Sequence, residues 1–247
     1  MSKKILVVSD NEPLVNRFKA LIERGLFNGH AFTFAFSPRN TALAEKYAGS
    51  TVFFPINVKT QFDEIIAQYD MVVSLHCKQL FPSALVRGIH CVNVHPGLNP
   101  HNRGWFPQVF SILNGKPCGA TIHEIDELLD HGGIIAQKEV KIESWDTSLT
   151  AYNKILDAEM ELIEAYMPAI IEGKYTTQKP DQEGNLNLKK DYDALCQIQL
   201  TDTDTFQNHL NRLRALTHGQ YMNAYFLDDT GRKVYLKLEL FPEDKAT

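Results

Sequence analysis

Residues 4 to 36 read KILVVSDNEPLVNRFKALIERGLFNGHAFTFAF, and this stretch contains one complete strand, helix, strand unit. Lys4–Ser9 is a short apolar run of the kind that forms a buried strand. A helical pattern follows near Pro13–Gly25, and a second β-rich run covers His30–Phe36. Because a helix between two strands carries the chain back to the edge where the first strand began, this unit predicts parallel pairing.

The same alternation continues through the first half of the chain. It predicts helices at Thr41–Tyr47, Gln61–Gln68 and near Pro107–Leu113, and strands at Thr51–Ile56, Met71–Leu75 and near His90–Val94. The fold class is therefore α/β, with a Rossmann-like, mostly parallel sheet that has helices on both faces. Ligands bind such sheets at the carboxyl ends of the strands, which places Ser9–Asp10, Ser74–Lys78 and Asn93–Gly97 on one rim.

The second half has a different pattern. Two strand-like segments, CGATIHEID and GGIIAQKEVKI, flank the loop ELLDHGG, and a long amphipathic helix follows with Asp146 as its expected N-cap. Lys179–Lys190 is polar and has the composition of a linker. A helix near Thr203–Leu216 and a β-hairpin, Ala224–Leu227 with Lys233–Phe241, end the chain. We expect a catalytic domain at 1–178 and a linker, helix and hairpin tail at 179–247.

Composition excludes several classes of protein. The 247 residues are 44% hydrophobic and 22% charged with a net charge of −5, which is typical of a globular protein without a basic surface for nucleic acid. No run approaches the ~20 apolar residues of a membrane span. The four cysteines have no paired spacing, which favours free thiols over disulfides or a metal site. We expect a cytoplasmic protein without nucleic-acid or membrane partners, and no metal.

The most informative short motif is Asn93-Val94-His95, which Pro96-Gly97 follows directly. Residues two apart in a strand share a face, so the amide and the imidazole point the same way. One interpretation is structural, with polar groups that cap a turn at the end of a strand. The other is catalytic, with one group donating to a developing oxyanion while the other moves a proton.

Asp130, in the loop ELLDHGG, is the second candidate. An aspartate before glycines is commonly a turn residue. A carboxylate that reached His95 would instead orient the imidazole ring and favour its protonated form. The sequence leaves both interpretations open.

Two segments, VNVHPGLNPHNRG at 92–104 and GATIHEIDELLDHGGIIAQ at 119–137, resemble the N10-formyltetrahydrofolate-dependent formyltransferase family. The shared features are Asn-x-His-Pro with a following Arg-Gly, then Gly-x-Thr-x-His and Asp-x-Gly. Within that family the chain is most similar to bacterial N-formyltransferases of dTDP-4-amino-4,6-dideoxy sugars. The resemblance implies N10-formyltetrahydrofolate as donor, a dTDP-linked amino sugar as acceptor, and a role in O-antigen or similar polysaccharide precursors.

The resemblance also implies site residues. The family's catalytic asparagine, histidine and aspartate correspond to Asn93, His95 and Asp130. Its donor pocket corresponds to the segment 77–82 and the loop 125–130, and the residues that we assign to it are Lys78, Leu80, Phe81, Ile125, Asp126 and Glu127.

For the acceptor, we expect Arg103 to pair with phosphate oxygens and Trp105 to lie nearby. Tyr221 is a candidate for contact with the nucleotide base, with packing in the tail as the alternative. The alternating Val234, Leu236, Leu238 and Leu240 predict a half-buried strand, and we expect a homodimer through the C-terminal region.

Alternatives remain. A hydrolase would use the same three residues with water as the nucleophile, and a binding protein would keep the pocket without the reaction. A methionyl-tRNA formyltransferase is disfavoured because no basic tRNA-binding domain follows the long helix. A glycinamide ribonucleotide formyltransferase is disfavoured because residues 9–13, SDNEP, replace that enzyme's Gly-rich phosphate loop, and the same turn lacks the GxGxxG of nicotinamide enzymes.

Overall fold

A seven-stranded sheet forms the centre of the protein in the computed structural model, which describes residues 2–243. The strand order is β3-β2-β1-β4-β5-β7-β8, in which the first five strands are parallel and the last two antiparallel. Its strands are β1 Lys4–Val8, β2 Ala31–Phe36, β3 Phe53–Pro55, β4 Met71–Leu75, β5 His90–His95, β7 Cys118–Glu124 and β8 Ile134–Val140. The predicted α/β class with a mostly parallel sheet is confirmed.

Helices cover both faces of this sheet. Six of the helices in residues 2–243 belong to the first 178 residues: α1 Glu12–Glu23, α2 Thr41–Lys46, α3 Phe62–Gln68, α4 Ser83–Gly88, α5 Pro107–Asn114 and α6 Ser148–Glu172. The short helix α4 was not predicted, because its six residues are too few to show a clear periodicity.

Strand β1 shows why the first strands are continuous apolar runs. Ile5 and Val7 face one side and pack in the cluster with α1 and α6, whereas Leu6 and Val8 face the other side and pack with α3 and α4. All four side chains are fully buried. Since each such side chain contributes about 1.5–3 kcal/mol when removed from water, the sheet is stabilised from both faces.

The long helix α6 begins one residue later than the sequence predicted. Its N-cap is Thr147, whose side chain accepts from the Thr150 backbone N–H, while the Thr150 hydroxyl accepts from the Thr147 N–H in a capping box. Asp146 is instead a buried carboxylate that accepts from the Glu143 N–H and the Thr150 hydroxyl. The prediction of Asp146 as N-cap was therefore wrong by one residue, because threonine caps as aspartate does.

The C-terminal tail has more structure than the sequence suggested. It contains β9 Leu186–Asn187, α7 Lys189–Cys196, α8 Phe206–Leu216 and the antiparallel hairpin of β10 Ala224–Leu227 with β11 Lys233–Leu236. The hairpin is confirmed, but its second strand ends at Leu236 rather than at Phe241. Strand β9 lies inside the predicted linker and pairs with β6 Arg103–Gly104 of the catalytic half, so that segment is docked.

No helix among residues 2–243 is long and apolar enough to cross a membrane. Cys91 and Cys118 are buried free thiols, and Cys77 and Cys196 are half-buried free thiols. Burial raises the pKa of Cys91 to about 12 and that of Cys118 to about 11, so both stay protonated at neutral pH.

Candidate functional site

Asn93, His95 and Asp130 meet at the carboxyl end of β5. Asn93 and His95 lie two apart on that strand, and the loop at 125–133 brings Asp130 back against them. Asn93 Nδ2 donates to Asp130 Oδ1 at 3.2 Å, and His95 Nδ1 lies 3.6 Å from the same oxygen. The structure thus brings together the three residues that the sequence singled out.

The carboxylate of Asp130 is held from several sides. Its Oδ2 accepts from the Gly104 backbone N–H at 3.0 Å, and its main-chain carbonyl accepts from Asn99 Nδ2 at 3.0 Å. Burial alone would raise the pKa of Asp130, but the His95 and His123 rings and the Gly104 N–H outweigh it and hold that pKa below its usual range. Asp130 is therefore ionised at neutral pH.

His95 has the opposite electrostatic behaviour. The residue is only 4% exposed, and burial lowers the pKa of its imidazole to about 4 despite the attraction of Asp130. The ring is therefore neutral at pH 7. A carboxylate beside Nδ1 favours the tautomer with hydrogen on Nδ1, which leaves Nε2 free to accept a proton. A Cβ at residue 97 would collide with this ring, which explains why residue 97 is a glycine.

The sequence did not assign a role to His123, yet it completes the cluster. Its Nδ1 lies 2.7 Å from the Glu124 carbonyl and therefore carries hydrogen, and its Nε2 lies 3.2 Å from Asn93 Nδ2. The two N–H groups of Asn93 are thus directed at Asp130 and His123. His123 was present in the Gly-x-Thr-x-His motif, but only the antiparallel register, which places it opposite Asn93, brings it into the site.

Unpaired polar atoms also mark this region. Among the residues that the structure describes, three buried side-chain atoms have no hydrogen-bond partner: His95 Nε2, Asn99 Oδ1 and Arg103 Nε. Leaving such a group unpaired costs about 1–3 kcal/mol, so atoms of this kind are typical of binding sites. The four non-glycine residues with positive φ in the described part of the chain, His76, Asn102, Phe106 and Asp130, lie on the same rim or beside it.

A cavity of about 270 Å³ opens beside Asp130. Asn99, Arg103 and Asp130 line it from the catalytic half, and residues 179–183 form the facing wall. The segment predicted as a linker is therefore part of the site.

The residues predicted for the donor lie in two neighbouring loops. Phe81 and Ile125 are partly buried and pack in one cluster, whereas Leu80 is 59% exposed. Lys78 is exposed, and its backbone N–H donates to Asp10 Oδ2 at 2.8 Å. The two loops therefore carry apolar side chains, of which Leu80 is exposed to solvent.

The two acidic residues assigned to the donor have protein partners. Asp126 Oδ2 lies 2.6 Å from His131 Nδ1, and Arg87 Nε donates to Glu127 Oε1 at 2.8 Å on the surface. Both carboxylates therefore shape the loop, whatever else they contact.

Arg103, which we expected to pair with phosphate oxygens, is buried and has protein partners. It is 6% exposed, its Nη1 donates to the Leu129 carbonyl at 3.3 Å, and its Nη2 lies 3.6 Å from Glu183 Oε1. Its guanidinium therefore clamps the loop that carries Asp130. Trp105 is half-buried, with its ring centre 5.5 Å from that of Phe106.

Tyr221 is 60% exposed in the tail and is connected to the rim by a row of aromatic rings. The centre of its ring lies 5.9 Å from that of His218, which lies 5.6 Å from the ring centre of Tyr152. Tyr152 in turn contacts His76 at the end of β4, with its hydroxyl 3.0 Å from His76 Nδ1. His76 Nε2 lies 2.8 Å from the fully buried Glu159 carboxylate, a polar pair that the sequence analysis missed.

No group of three or more His, Cys, Asp or Glu side chains within residues 2–243 is arranged to hold a metal ion. The chemistry that the cluster can perform is proton transfer and hydrogen bonding. The cluster contains a neutral imidazole and an amide, and both lie beside the same oxygen of an ionised carboxylate, Asp130 Oδ1.

Comparison with known families gives two matches. Residues 35–167 match the model of the formyl transferase family, and residues 191–242 match that of the N-formyltransferase dimerization C-terminal domain. The first match includes Asn93, His95, His123 and Asp130.

Individual proteins agree with these matches. A dTDP-4-amino-4,6-dideoxyglucose formyltransferase of Mycobacterium bovis is 55% identical over 190 residues, which cover 77% of this chain and 81% of that protein. A 4-N formyltransferase from Francisella tularensis has a crystal structure that superposes with a TM-score of 0.92 at 43% identity, over 97% of this chain and 98% of that one.

The formyltransferase PseJ of Anoxybacillus kamchatkensis shares the fold with a TM-score of 0.62 at 23% identity, over 86% of this chain and 98% of that one. Taken with the two family matches and the close mycobacterial relative, the fold and the cluster at the end of β5 lead to one assignment. This chain belongs to the formyl transferase family of enzymes.

Proposed function

We propose that this enzyme transfers a formyl group from N10-formyltetrahydrofolate to the amine of a dTDP-linked 4-amino-4,6-dideoxy sugar. The observation that carries the proposal is the convergence of Asn93, His95 and Asp130 on one buried volume at the end of β5. The substrate assignment is supported by the 55% identical mycobacterial relative, whose name specifies dTDP-4-amino-4,6-dideoxyglucose.

Formyl transfer makes a C–N bond to the acceptor amine and breaks the bond between the formyl carbon and N10. In our proposal His95 Nε2 accepts the proton that the attacking amine loses, because this atom is buried, neutral and unpaired. Asp130 holds the ring through Nδ1 and stabilises the imidazolium that forms. The proton finally reaches N10, so that the folate leaves as a neutral amine.

Asn93 is proposed to donate to the formyl oxygen as negative charge develops on it. Both of its N–H groups have partners in the structure, at 3.2 Å to Asp130 and 3.2 Å to His123. The bond to His123 is the one that we expect to be exchanged, because an anionic oxygen is a stronger acceptor than a neutral imidazole.

For the donor, we propose that the pteridine lies between the loop that contains Leu80 and Phe81 and the loop that contains Ile125. The support is the exposed apolar surface there, with Leu80 and Leu128 each 59% exposed. Lys78, Asp126 and Glu127 remain candidates for contact with the polar parts of the folate. In a protein of the same fold, PseJ of Anoxybacillus kamchatkensis, tetrahydrofolate and a UDP-linked formamido sugar are bound together.

For the acceptor, we propose that Arg103 supplies positive charge to the diphosphate from the cavity beside Asp130. Contact requires Glu183, which lies 3.6 Å from its Nη2, to move away. Trp105 and Tyr221 remain candidates for contact with the sugar and the base, and polysaccharide precursor synthesis in the cytoplasm remains the proposed setting.

The oligomeric proposal is a homodimer through the tail, with the boundary between catalytic domain and tail near residue 178. Its support is the match of residues 191–242 to a dimerization domain. A further support is the set of large apolar side chains exposed after residue 190 in the single chain, which are Leu200, Phe206, Tyr221, Met222, Leu227, Val234, Tyr235 and Phe241.

A direct assay tests the proposed function. The enzyme is incubated with N10-formyltetrahydrofolate and a panel of dTDP- and UDP-linked amino sugars, and mass spectrometry monitors the gain of one formyl group. We expect a dTDP-4-amino-4,6-dideoxy sugar to gain it and Asp130→Asn to abolish most of the gain. Formate release without an amino sugar would identify a hydrolase, and donor binding without either product would identify a binding protein.

A further inference from the structure

The segment between the catalytic half and the tail is bonded directly to the strand beside the active site. Arg103 N donates to the Asn185 carbonyl at 3.0 Å, and Trp105 N donates to the Asn187 carbonyl at 2.9 Å. In the other direction, Asn185 N donates to the Pro100 carbonyl at 3.3 Å. Strand β9 therefore supplies the backbone partners of β6.

Asparagine side chains reinforce this docking. Asn102 is fully buried, and its Oδ1 accepts from the side chains of Asn114 at 2.8 Å, Asn185 at 2.7 Å and Asn187 at 3.3 Å. Its backbone N–H donates to Asn185 Oδ1 at 3.0 Å. Two of these partners come from the linker, so undocking it would remove two of the three hydrogen bonds that this buried carbonyl oxygen accepts, which is costly.

The backbone of β6 has a conformation that needs such support. Residues 102, 104 and 106 have φ values of +49°, +90° and +51°, an alternation that non-glycine residues rarely adopt. At Gly104 a Cβ would collide with the Asn187 carbonyl, so only glycine allows β9 to approach this closely. The same holds at Gly184, where a Cβ would collide with the Pro100 carbonyl.

Two bonds connect β6 to the loop of Asp130. The Gly104 N–H donates to Asp130 Oδ2 at 3.0 Å, and Arg103 Nη1 donates to the Leu129 carbonyl at 3.3 Å. Within residues 2–243, the Gly104 N–H is the single hydrogen-bond donor to Asp130 Oδ2. The other carboxylate oxygen, Oδ1, faces Asn93, His95 and His123. The position of β6 therefore sets the orientation of the carboxylate.

We propose that the docked linker strand is a positioning element of the active site: β9, anchored by Asn102, fixes the Gly104 N–H that orients the catalytic carboxylate of Asp130. This proposal rests on the proposed function, since it takes Asp130 as catalytic. It makes turnover dependent on residues 184–187, which contain none of the three catalytic side chains.

Gly184→Ala tests the proposal, because the new methyl group must push the linker away from Pro100. Gly173→Ala is the matched control, since its φ of +71° is close to the +73° of Gly184 and no heavy atom lies within 4 Å of the new Cβ. Hydrogen exchange of the amides at 185–188 reports whether the strand has moved. Where exchange is faster in Gly184→Ala, we expect kcat to fall about 10- to 100-fold with a similar KM. The acid limb of its kcat–pH profile should move to lower pH, because a displaced Asp130 carboxylate no longer raises the pKa of His95.

A double-mutant cycle separates a positioning role from general damage. If the linker acts through Asp130, adding Gly184→Ala to Asp130→Asn lowers the residual turnover no further. The proposal would be overturned if the amides at 185–188 exchange faster in Gly184→Ala while its turnover and pH profile equal those of Gly173→Ala. If exchange in Gly184→Ala stays slow, Asn185→Ala/Asn187→Ala is measured in the same way, and slow exchange there too would overturn the proposal.

Failure of the proposed function is recognised separately, since it would show as absent formyl transfer by the wild-type enzyme. In that case the carboxyl ¹³C resonance of Asp130 is titrated in wild type, Gly184→Ala and Gly173→Ala. A higher pKa of Asp130 in Gly184→Ala alone supports the positioning role without any turnover. Equal titration curves in all three proteins overturn it.

Discussion

Burial acts on two neighbouring residues of the site with opposite outcomes. The imidazole of His95 loses its charge, since the pKa falls to about 4, while Asp130 keeps its charge because it accepts hydrogen bonds and faces two histidine rings. A neutral base beside an ionised carboxylate is the arrangement that proton abstraction from an amine requires. The electrostatics of this pair therefore support the proposed chemistry at the level of single residues.

The first prediction concerns catalysis. We expect His95→Ala to lower kcat by about 10²–10⁴-fold through loss of a general base, and Asn93→Ala by about 10²–10³-fold through loss of one oxyanion donor. Steady-state kinetics with a dTDP-linked amino sugar measure both. His30→Ala, at the opposite edge of the sheet where β2 begins, should retain wild-type turnover. Near-wild-type kcat in either site variant would reject the role of that residue.

The second prediction concerns stability as a function of pH. His95 has a pKa of about 4 in the folded protein against about 6.5 unfolded, so between these values the unfolded chain binds a proton that the native state does not. The free energy of unfolding should therefore decrease as pH falls, by roughly 2–3 kcal/mol from this group between pH 7 and 4.5. Urea unfolding at both pH values should show a smaller decrease for His95→Gln than for wild type. Equal decreases would contradict the burial of an uncharged His95.

At the scale of elements, the site depends on the point where the sheet changes from parallel to antiparallel. Strand β5 pairs in parallel with β4 on one side and antiparallel with β7 on the other. The antiparallel register places Asn93 opposite His123 and His95 opposite Thr121, whose hydroxyl donates to the Gly97 carbonyl at 2.7 Å. This pairing fixes the end of β5 and therefore the direction of both catalytic side chains.

The third prediction tests the start of helix α6, which also carries the buried Glu159 beside His76. Thr147→Ala removes the N-cap side chain and should destabilise the protein by about 1 kcal/mol. The measurement is urea unfolding monitored by circular dichroism. Thr176→Ala, at an exposed position in the segment after the helix, should leave the free energy of unfolding within about 0.5 kcal/mol of wild type. An unchanged stability in Thr147→Ala would argue against the capping box.

At the scale of the whole molecule, the tail is connected to the catalytic half at several places. Strand β9 pairs with β6, the buried Arg214 of α8 donates to the carbonyls of Glu143 and Asp146, and His218 Nδ1 lies 3.0 Å from the Ser148 hydroxyl. These contacts fix the tail relative to the start of α6. A dimer formed through the tail would therefore be held rigidly relative to both active sites.

The fourth prediction is the oligomeric state. We expect sedimentation velocity to give twice the chain mass of 28.0 kDa at micromolar concentration. Val234→Asp, which places a charge on the exposed apolar surface of the hairpin, should shift the protein towards the monomer. Val52→Asp is the matched control, because Val52 is an exposed valine of the catalytic half, outside the tail. A monomeric wild type, or a Val234→Asp variant that dimerises as wild type does, would contradict the proposed interface.

Much of this protein follows from local pattern in the sequence. The continuous apolar runs of β1 and β4 predict buried parallel strands because both faces of such strands are covered, and Met71–Leu75 was predicted with both of its ends correct. The spacing of Asn93 and His95 predicts a shared face because side chains alternate along a strand. The loop sequence made Asp130 a candidate, and family resemblance favoured its catalytic role, since no periodicity could connect it to His95.

Other features depend on which distant segments the fold brings into contact. His123 enters the site through an antiparallel register, and Gly104 holds Asp130 only because β9 supports its strand from 83 residues further along the chain. Burial of Arg103 and the low pKa of His95 likewise arise from neighbours that a single sequence does not identify. Local sequence determined the strands and the residue types of the site because periodicity is a local property. Tertiary structure alone decided their partners, exposure and charge, because these depend on packing between segments far apart in the chain.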